Sequence, residues 1–221
     1  MSLLKSFIIF GTGDFAQLIY YYVVNDQKRK VAAFTVERKY ISEKTFMGLP
    51  LVPFEEIWEL YNPSEYSMVI AFIGKRMLME RKRIYEKAEK MGYEMENIIH
   101  SSASISSDKI AGGNIIMERV IVAPFSQIGK GNIMWSNATV QHHNVIGDFN
   151  VLAPNVSPSG FVKIGNHCFI GNNCTIKNRM EIADFTLVGA GAYVQECTEE
   201  YEVIVPSRSR ILKDKKSIDM M

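Results

Sequence analysis

From residue 110 to residue 194 an aliphatic side chain returns at almost every sixth position. The series runs Ile110, Ile116, Val122, Ile128, Met134, Val140, Ile146, Leu152, Pro158, Ile164, Ile170, Ile176, Ile182, Val188 and Val194, and only Pro158 breaks it. Neither the 3.6-residue period of a helix nor the two-residue period of a flat strand sustains a strict six over this length. A parallel β-helix does, because each hexapeptide is one short strand plus one corner and its lead residue points into a shared core. The residue after the lead is often small (Gly129, Gly147, Gly165, Gly171, Gly189), which suits a tight corner. Four positions after the lead come Ala138, Val156, Val162, Cys168, Cys174 and Ala192, compact enough for the remaining inward slot. Three hexapeptides close one triangular coil, so residues 110–199 supply about five coils. Pro158 is expected to mark a local bend or loop.

The N-terminal hundred residues follow a different pattern. An apolar run, Phe7-Ile-Ile-Phe10, ends in Gly11-Thr-Gly13-Asp14-Phe15. A helical stretch to Asn25 comes next, and then a second apolar run at Val31–Phe34. Strand, glycine turn, helix, strand is a βαβ opening, and the helix start offers free N–H groups to a phosphate or another polar ligand. The same turn also arises wherever a strand must bend tightly into a helix. A third strand is expected at Met68–Ile73, ending in Gly74, followed by a charged helix from Lys75 to Lys90 that stops at Gly92. Arg81, Lys82, Arg83 and Lys87 on that helix read as a solvated face. This is half of a dinucleotide-binding fold. The second half does not fit before the repeats begin, so a single nucleotide is expected rather than a nicotinamide cofactor. The Ser-rich run Ser101–Ser107 reads as a connection, dividing the chain into a nucleotide-type βαβ domain at 1–100 and a β-helix domain at 101–221. The fold class is an α/β half-Rossmann-like domain followed by an all-β parallel β-helix.

Composition narrows the function. Twenty-five basic residues against 24 acidic ones give no electrostatic case for nucleic acid or a membrane surface. No apolar run reaches the length of a membrane span, and Met1–Lys5 leads directly into a strand instead of a secretion signal. Cys168, Cys174 and Cys197 are an odd count without metal-ligand spacing, and Cys168 and Cys174 fall in inward slots of the repeat as packing residues, so no metal site and a reducing cytoplasm are expected.

A small nucleotide-type domain joined to a hexapeptide prism resembles the bacterial nucleotide-sugar N-acetyltransferases, relatives of the enzyme that acetylates a 4-amino sugar in bacillosamine synthesis. The sialic acid O-acetyltransferases share the layout. The resemblance covers nearly the whole chain and is carried by Gly11-Thr-Gly-Asp-Phe15, Gln141-His-His-Asn-Val-Ile-Gly-Asp-Phe149 and Gly160-Phe-Val-Lys-Ile-Gly-Asn-His-Cys-Phe-Ile-Gly171. It implies a left-handed β-helix and a homotrimer with active sites between subunits. It also implies acetyl-CoA as cosubstrate and a nucleotide-linked amino sugar, of the 4-amino-4,6-dideoxy type, as acceptor.

By the family's pattern His142 is the general base, a role that suits an imidazole near neutral pH. His143 stands where the bacillosamine relative has a glutamate, with Asp148 as a candidate to orient His142. A second family histidine corresponds here to Val151. Coenzyme A would run along Gly160, Asn172 and Ala190, with Gly171 and Gly189 beside them. Val205-Pro206-Ser207-Arg208 resembles the family's ending, so that Arg208 would meet a coenzyme phosphate. For the nucleotide, Gly11, Gly13, Asp14 and Phe15 match the glycine turn. Thr35 and Val36 fall where relatives carry two aspartates, Glu37 follows them, and Gly74 ends the third strand on the ligand-binding face. Three other readings compete: sugar O-acetylation, a zinc carbonic anhydrase using His142, His143 and His167, and a non-catalytic trimeric scaffold or sensor.

Overall fold

In the computed structural model, which describes residues 5–208 and 218, the chain begins with an open α/β sheet. Its elements are β1 (Ser6–Phe10), α1 (Asp14–Tyr21), β2 (Val31–Val36), β3 (Thr45–Phe46), β4 (Leu49–Pro53), α2 (Ile57–Leu60), β5 (Tyr66–Ile70), α3 (Met79–Lys90) and β6 (Glu94–Met95). The strand order is β3-β4-β2-β1-β5-β6, and every pairing is parallel except β3 with β4. Phe7, Ile8 and Ile9 of β1 are fully buried, as the continuous apolar run of a central parallel strand requires. From β1 the chain steps outward to β2 and β4, then returns to place β5 on the other side of β1. That reversal opens a crevice at the carboxyl ends of β1, β2 and β5.

The prism follows. Its two-residue strands pair 18 positions apart: Ile133 with Val151, Val145 with Lys163, Thr175 with Tyr193. Lead residues from Ile116 to Val194 are buried and form one continuous core. The first coil starts earlier than the repeat suggests. Ile98–Ile99 pairs with Ile115–Ile116, and Ser104–Ile105 pairs with Ile121–Val122. The Ser-rich run Ser101–Ser107 is therefore a corner and a strand of the first coil and not a connection. Its polar composition hid the strand Ser104–Ile105, whose partner lies in the next coil.

Pro158 is also not a bend. It is buried in the strand Ser157–Pro158, in register with Thr175–Ile176. What it lacks is an N–H. The lead residue Ile128, by contrast, donates its N–H to the carbonyl of Lys109, 19 residues back. Pro158 makes no such bond, and the face is split there into a sheet ending at Thr139–Val140 and another beginning at Ser157–Pro158.

Each corner uses a left-handed residue every six positions, mostly without glycine. Stacked 18 apart, these form three columns: Phe125, His143, Phe161 and Arg179; Phe149, His167 and Phe185; Asn137, Asn155 and Asn173, all with φ between 55° and 65°. Asparagine adopts this conformation readily, while the rings are held in place by stacking on one another.

The α/β domain packs on one face of the prism. The outward-facing Ile98, Ile115, Ile133 and Val151 of that face are buried against α1, α3 and β5 residues. Arg81, expected on a solvated face, is fully buried in this interface. Its guanidinium donates to the carbonyls of Gly131 (3.0 Å), Phe72 (3.0 Å), Gly113 (3.4 Å) and Ile70. Burial pushes it down to about 9, so it remains charged at neutral pH. Helix α3 is also shorter than expected. Arg76, Met77 and Leu78 all have positive φ, which delays the first helical turn until Met79.

Candidate functional site

The crevice at the strand ends is a cleft of about 450 Å3 whose walls include Phe10, Gly11, Val36, Glu37, Phe72 and Arg83. Gly11 has φ +134° and donates its N–H to the Thr35 carbonyl at 2.9 Å. A Cβ there would lie 2.7 Å from the Ala71 carbonyl oxygen, so β1 leaves the sheet at a point where only glycine fits. Gly13 and Asp14 are exposed where α1 begins, and Phe15 turns away to pack on Trp135 of the prism. Thr35 is fully buried and its hydroxyl donates to the Val52 carbonyl at 2.7 Å, so it lies beneath the cleft wall. Val36 reaches the wall. Gly74, with φ +85°, faces the Phe72 ring, which itself lines the cleft.

The polar character of the cleft comes chiefly from the charged residues Glu37, Lys39, Glu80 and Arg83 of its lining. Arg83 forms a bidentate pair with Glu37 at 2.8 and 3.0 Å, and Lys39 stands 3.4 Å from the same carboxylate. The Arg83 hydrogen bond chiefly holds the Glu37 carboxyl below the usual carboxylate range. Glu37 was legible as the first residue beyond β2. Arg83 was not, because it is separated from Arg81 by only two positions on one helix yet turned to the opposite environment.

His142 and His143 are exposed at a corner of the prism, their Nδ1 atoms 3.1 Å apart. The left-handed His143 (φ 61°) is sandwiched between Phe161 (4.7 Å) and Phe125 (4.9 Å). That stacking fixes its ring and thereby the position of its Nδ1. His142 stands over Gly160, one coil on. A Cβ at Gly160 would come within 2.6 Å of the imidazole Cε1. Gly160 thus provides the space that the His142 ring occupies. Asp148 does not orient His142: it lies one hexapeptide on, at the next corner, where its Oδ1 accepts the Lys130 N–H at 2.8 Å. Val151 faces outward beneath the α/β domain.

A third group forms at another corner. Gly171 and Gly189 lie 18 apart, and a Cβ at Gly171 would meet the Ala190 nitrogen at 2.7 Å. Asn172 and Ala190 are exposed, with the Asn172 carbonyl accepting the Gly191 N–H at 2.8 Å. Pro206 passes 3.2 Å from where a Gly189 Cβ would be, which brings the tail carrying the exposed Arg208 toward this corner. Within one chain the His142–Gly160 corner and the Asn172–Ala190 corner are separate. Gly160 and Asn172 are 12 residues apart, two-thirds of a coil. His167 belongs to the column next to that of His143, so one chain does not gather three histidines. Among the described residues no cluster of three or more His, Cys, Asp or Glu side chains is arranged to hold a metal. No described helix is long and apolar enough to cross a membrane.

Together these features define a left-handed β-helix fronted by an open α/β domain, with a nucleotide-sized cleft on one part and an exposed histidine on the other. No protein-family model matches the chain. Solved structures do share the fold. The acetyltransferase domain of PglB from Neisseria gonorrhoeae, in complex with acetyl coenzyme A, superposes with a TM-score of 0.79 at 19% identity, covering 90% of this chain and 95% of that one. A mutant form of GDP-perosamine N-acetyl transferase from Caulobacter crescentus, in complex with CoA and GDP-perosamine, gives 0.80 at 23% identity over 91% and 93%. WeeI from Acinetobacter baumannii gives 0.80 at 21% identity over 95% and 100%.

Proposed function

We propose that this chain is an acetyl-CoA-dependent N-acetyltransferase acting on a nucleotide-linked amino sugar, with His142 as general base. The observation that carries the reading is the His142 imidazole, seated over Gly160, its Nδ1 paired with a His143 that is locked by stacking. With its Nδ1–H donating to His143 Nδ1, His142 presents the Nε2 lone pair outward to accept a proton. Support for the two substrates comes from the neighbours, one solved with acetyl coenzyme A and another with CoA and GDP-perosamine.

Acetyl-CoA supplies the activated thioester. The sugar nitrogen attacks the carbonyl carbon, His142 Nε2 takes the proton from that nitrogen, and the carbon–sulfur bond breaks to release the thiolate of coenzyme A, which is protonated to the thiol as His142 returns to neutral. The charge arising on His142 is accommodated by the Nδ1–H bond to His143, which accepts as a neutral imidazole in place of a carboxylate. The cleft walled by Gly11, Val36, Glu37 and Arg83 takes the nucleotide, with the exposed turn at Gly13 and Asp14 next to Gly11, while Phe15 is turned to Trp135 and Gly74 backs the Phe72 ring. The Asn172–Ala190 corner, with Gly171, Gly189 and Arg208, takes coenzyme A.

Because those two corners are separate within one chain, the reading requires a second copy alongside. A homotrimer would set the His142 corner of one prism against the Asn172 corner of the next. Phe125, 72% exposed beside His143, is the kind of apolar side chain that a subunit contact covers. Residues 1–100 would serve the nucleotide sugar and 101–221 the acyl transfer. Buried, unpaired Cys168 and Cys174 support a reducing cytoplasmic setting.

The test is thiol release from acetyl-CoA against UDP-, dTDP- and GDP-linked 3-amino and 4-amino sugars and their hydroxyl counterparts. Release with one amino sugar, lowered by roughly 10²–10⁴ in kcat by His142→Ala, is expected. An unchanged rate in that variant removes His142 from the role. Release only with a hydroxyl acceptor replaces N- by O-acetylation, and no coenzyme binding leaves a scaffold.

A further inference from the structure

On the other side of α3 from the nucleotide cleft, the helix and one prism corner enclose a second cleft of about 350 Å3. Its floor is the column of Phe149, His167 and Phe185, whose rings stack at 5.6 and 4.9 Å with interplanar angles of 11° and 7°. His167 is only 4% exposed. Its Nδ1 lies 3.0 Å from the Met77 carbonyl, which only accepts, so the proton sits on Nδ1 and the lone pair on Nε2. Nε2 has no hydrogen-bond partner among the described residues, yet it is not one of the polar atoms sealed from solvent. It opens into the cleft as an unused acceptor. Burial lowers the imidazole's proton affinity, which keeps it neutral at physiological pH.

The prism wall adds a second unused acceptor. Asp148 spends Oδ1 on the Lys130 N–H, while Oδ2 has no partner among the described residues. Asp184 lines the same wall with both oxygens engaged by Asn166, and the facing wall on α3 carries Lys82 and Glu86. None of these groups serves the acetyl transfer above, whose histidine is at a different corner.

We propose that this cleft is a binding site for a neutral polyhydroxylated ring, a monosaccharide unit distinct from the nucleotide-linked acceptor. Two free acceptors, one an imidazole lone pair and one a carboxylate oxygen, demand hydrogen-bond donors. A phosphate brings mainly acceptors and would be pressed against Asp148, Asp184 and Glu86. A cationic amine would be drawn to the carboxylates but has no acceptor to offer the Lys82 ammonium on the facing wall. Hydroxyls donate to Nε2 and to Asp148 while accepting from the lysines. The volume matches one hexose ring with water around it.

The test uses the full-length protein without acetyl-CoA, so its outcome is separate from the proposed activity. Histidine-¹⁵N-labelled protein is titrated with methyl glucoside, methyl galactoside and N-acetylglucosamine to tens of millimolar, with inorganic phosphate and putrescine as controls. We expect a saturable shift at His167 Nε2 with at least one sugar and none with the controls. His167→Phe, which preserves the ring stack, should abolish binding by saturation-transfer NMR. Asp148→Asn, which keeps the Oδ1 acceptor, should weaken it about tenfold, the worth of one hydrogen bond. No saturable response to any sugar, a response to phosphate or putrescine instead, or undiminished binding in both variants would overturn the proposal.

Discussion

Replacing Arg81 by methionine isolates what a buried cation contributes when its partners are carbonyls and no carboxylate is in reach. The substitution keeps an unbranched apolar stem and removes every donor. Three bonds, to Gly131 and Phe72 at 3.0 Å and to Ile70, are lost outright, and the 3.4 Å contact to Gly113 adds little. Charged hydrogen bonds contribute about 1.5–3 kcal/mol each, so the gross loss is roughly 4.5–9 kcal/mol. Relief from burying the cation, the same burial that brings Arg81 down to about 9, offsets part of this. A net destabilisation of about 3 kcal/mol follows, or roughly 6–12 °C in Tm for a chain of this size. Arg83→Met on the same helix is the control: it breaks only an exposed pair with Glu37 and should cost under about 1 kcal/mol. Thermal unfolding followed by circular dichroism compares the two. If Arg81→Met melts within about 2 °C of Arg83→Met, a difference of about 0.5–1 kcal/mol, Arg81 does not hold the two parts together.

Gly160→Ala should push the His142 ring aside, since the new carbon would lie 2.6 Å from Cε1. A loss of about tenfold or more in kcat with little change in Tm is expected, and equal loss in KM alone would contradict a positioning role. Pro158→Val supplies the donor missing between the two halves of one prism face. Hydrogen exchange should find the amide introduced at position 158 as protected as that of Ile128, and fast exchange there would show that the gap has another cause. The Glu37 carboxyl is lowered, chiefly by Arg83, so the stability of that pair is complete above the unfolded carboxylate range and lost as pH falls through the folded value. A ¹³C titration of Glu37 should therefore show its midpoint below 4.5 in the wild type and a rise in Arg83→Met.

The prism was legible because its core is one-dimensional. A single inward slot repeats every six residues, and each lead residue from Ile116 onward met a buried site. The α/β half was legible at Gly11, where the backbone has one solution, and at the burial of Phe7 to Ile9. What stayed hidden was set by the contact between the halves. Arg81 and Arg83 are identical in type and two positions apart, and only the placement of α3 against Gly113 and Gly131 decides which is buried. Thr35 falls at the nucleotide site by the resemblance alone, and the sequence does not show that the Val52 carbonyl claims its hydroxyl. Pro158 misled in the opposite direction, because one missing donor costs a rung but does not turn the chain. The corner rings of His143 and His167 appear in the sequence only as an 18-residue spacing of aromatic and histidine residues, which is visible once the coil length is known.

The α/β domain covers Ile98, Ile115, Ile133 and Val151 but leaves Val203, at the far end of the same face, 63% exposed. Among the described residues this face is therefore clamped at one end and left uncovered at the other. In a solenoid, where each coil rests only on its neighbours, that asymmetry sets a gradient of local opening. The last coils should fray first and the clamped ones last, so the Asn172–Ala190 corner would loosen well before the His142 corner. Heat or mild denaturant would then empty the region assigned to coenzyme A while the histidine pair still holds its shape.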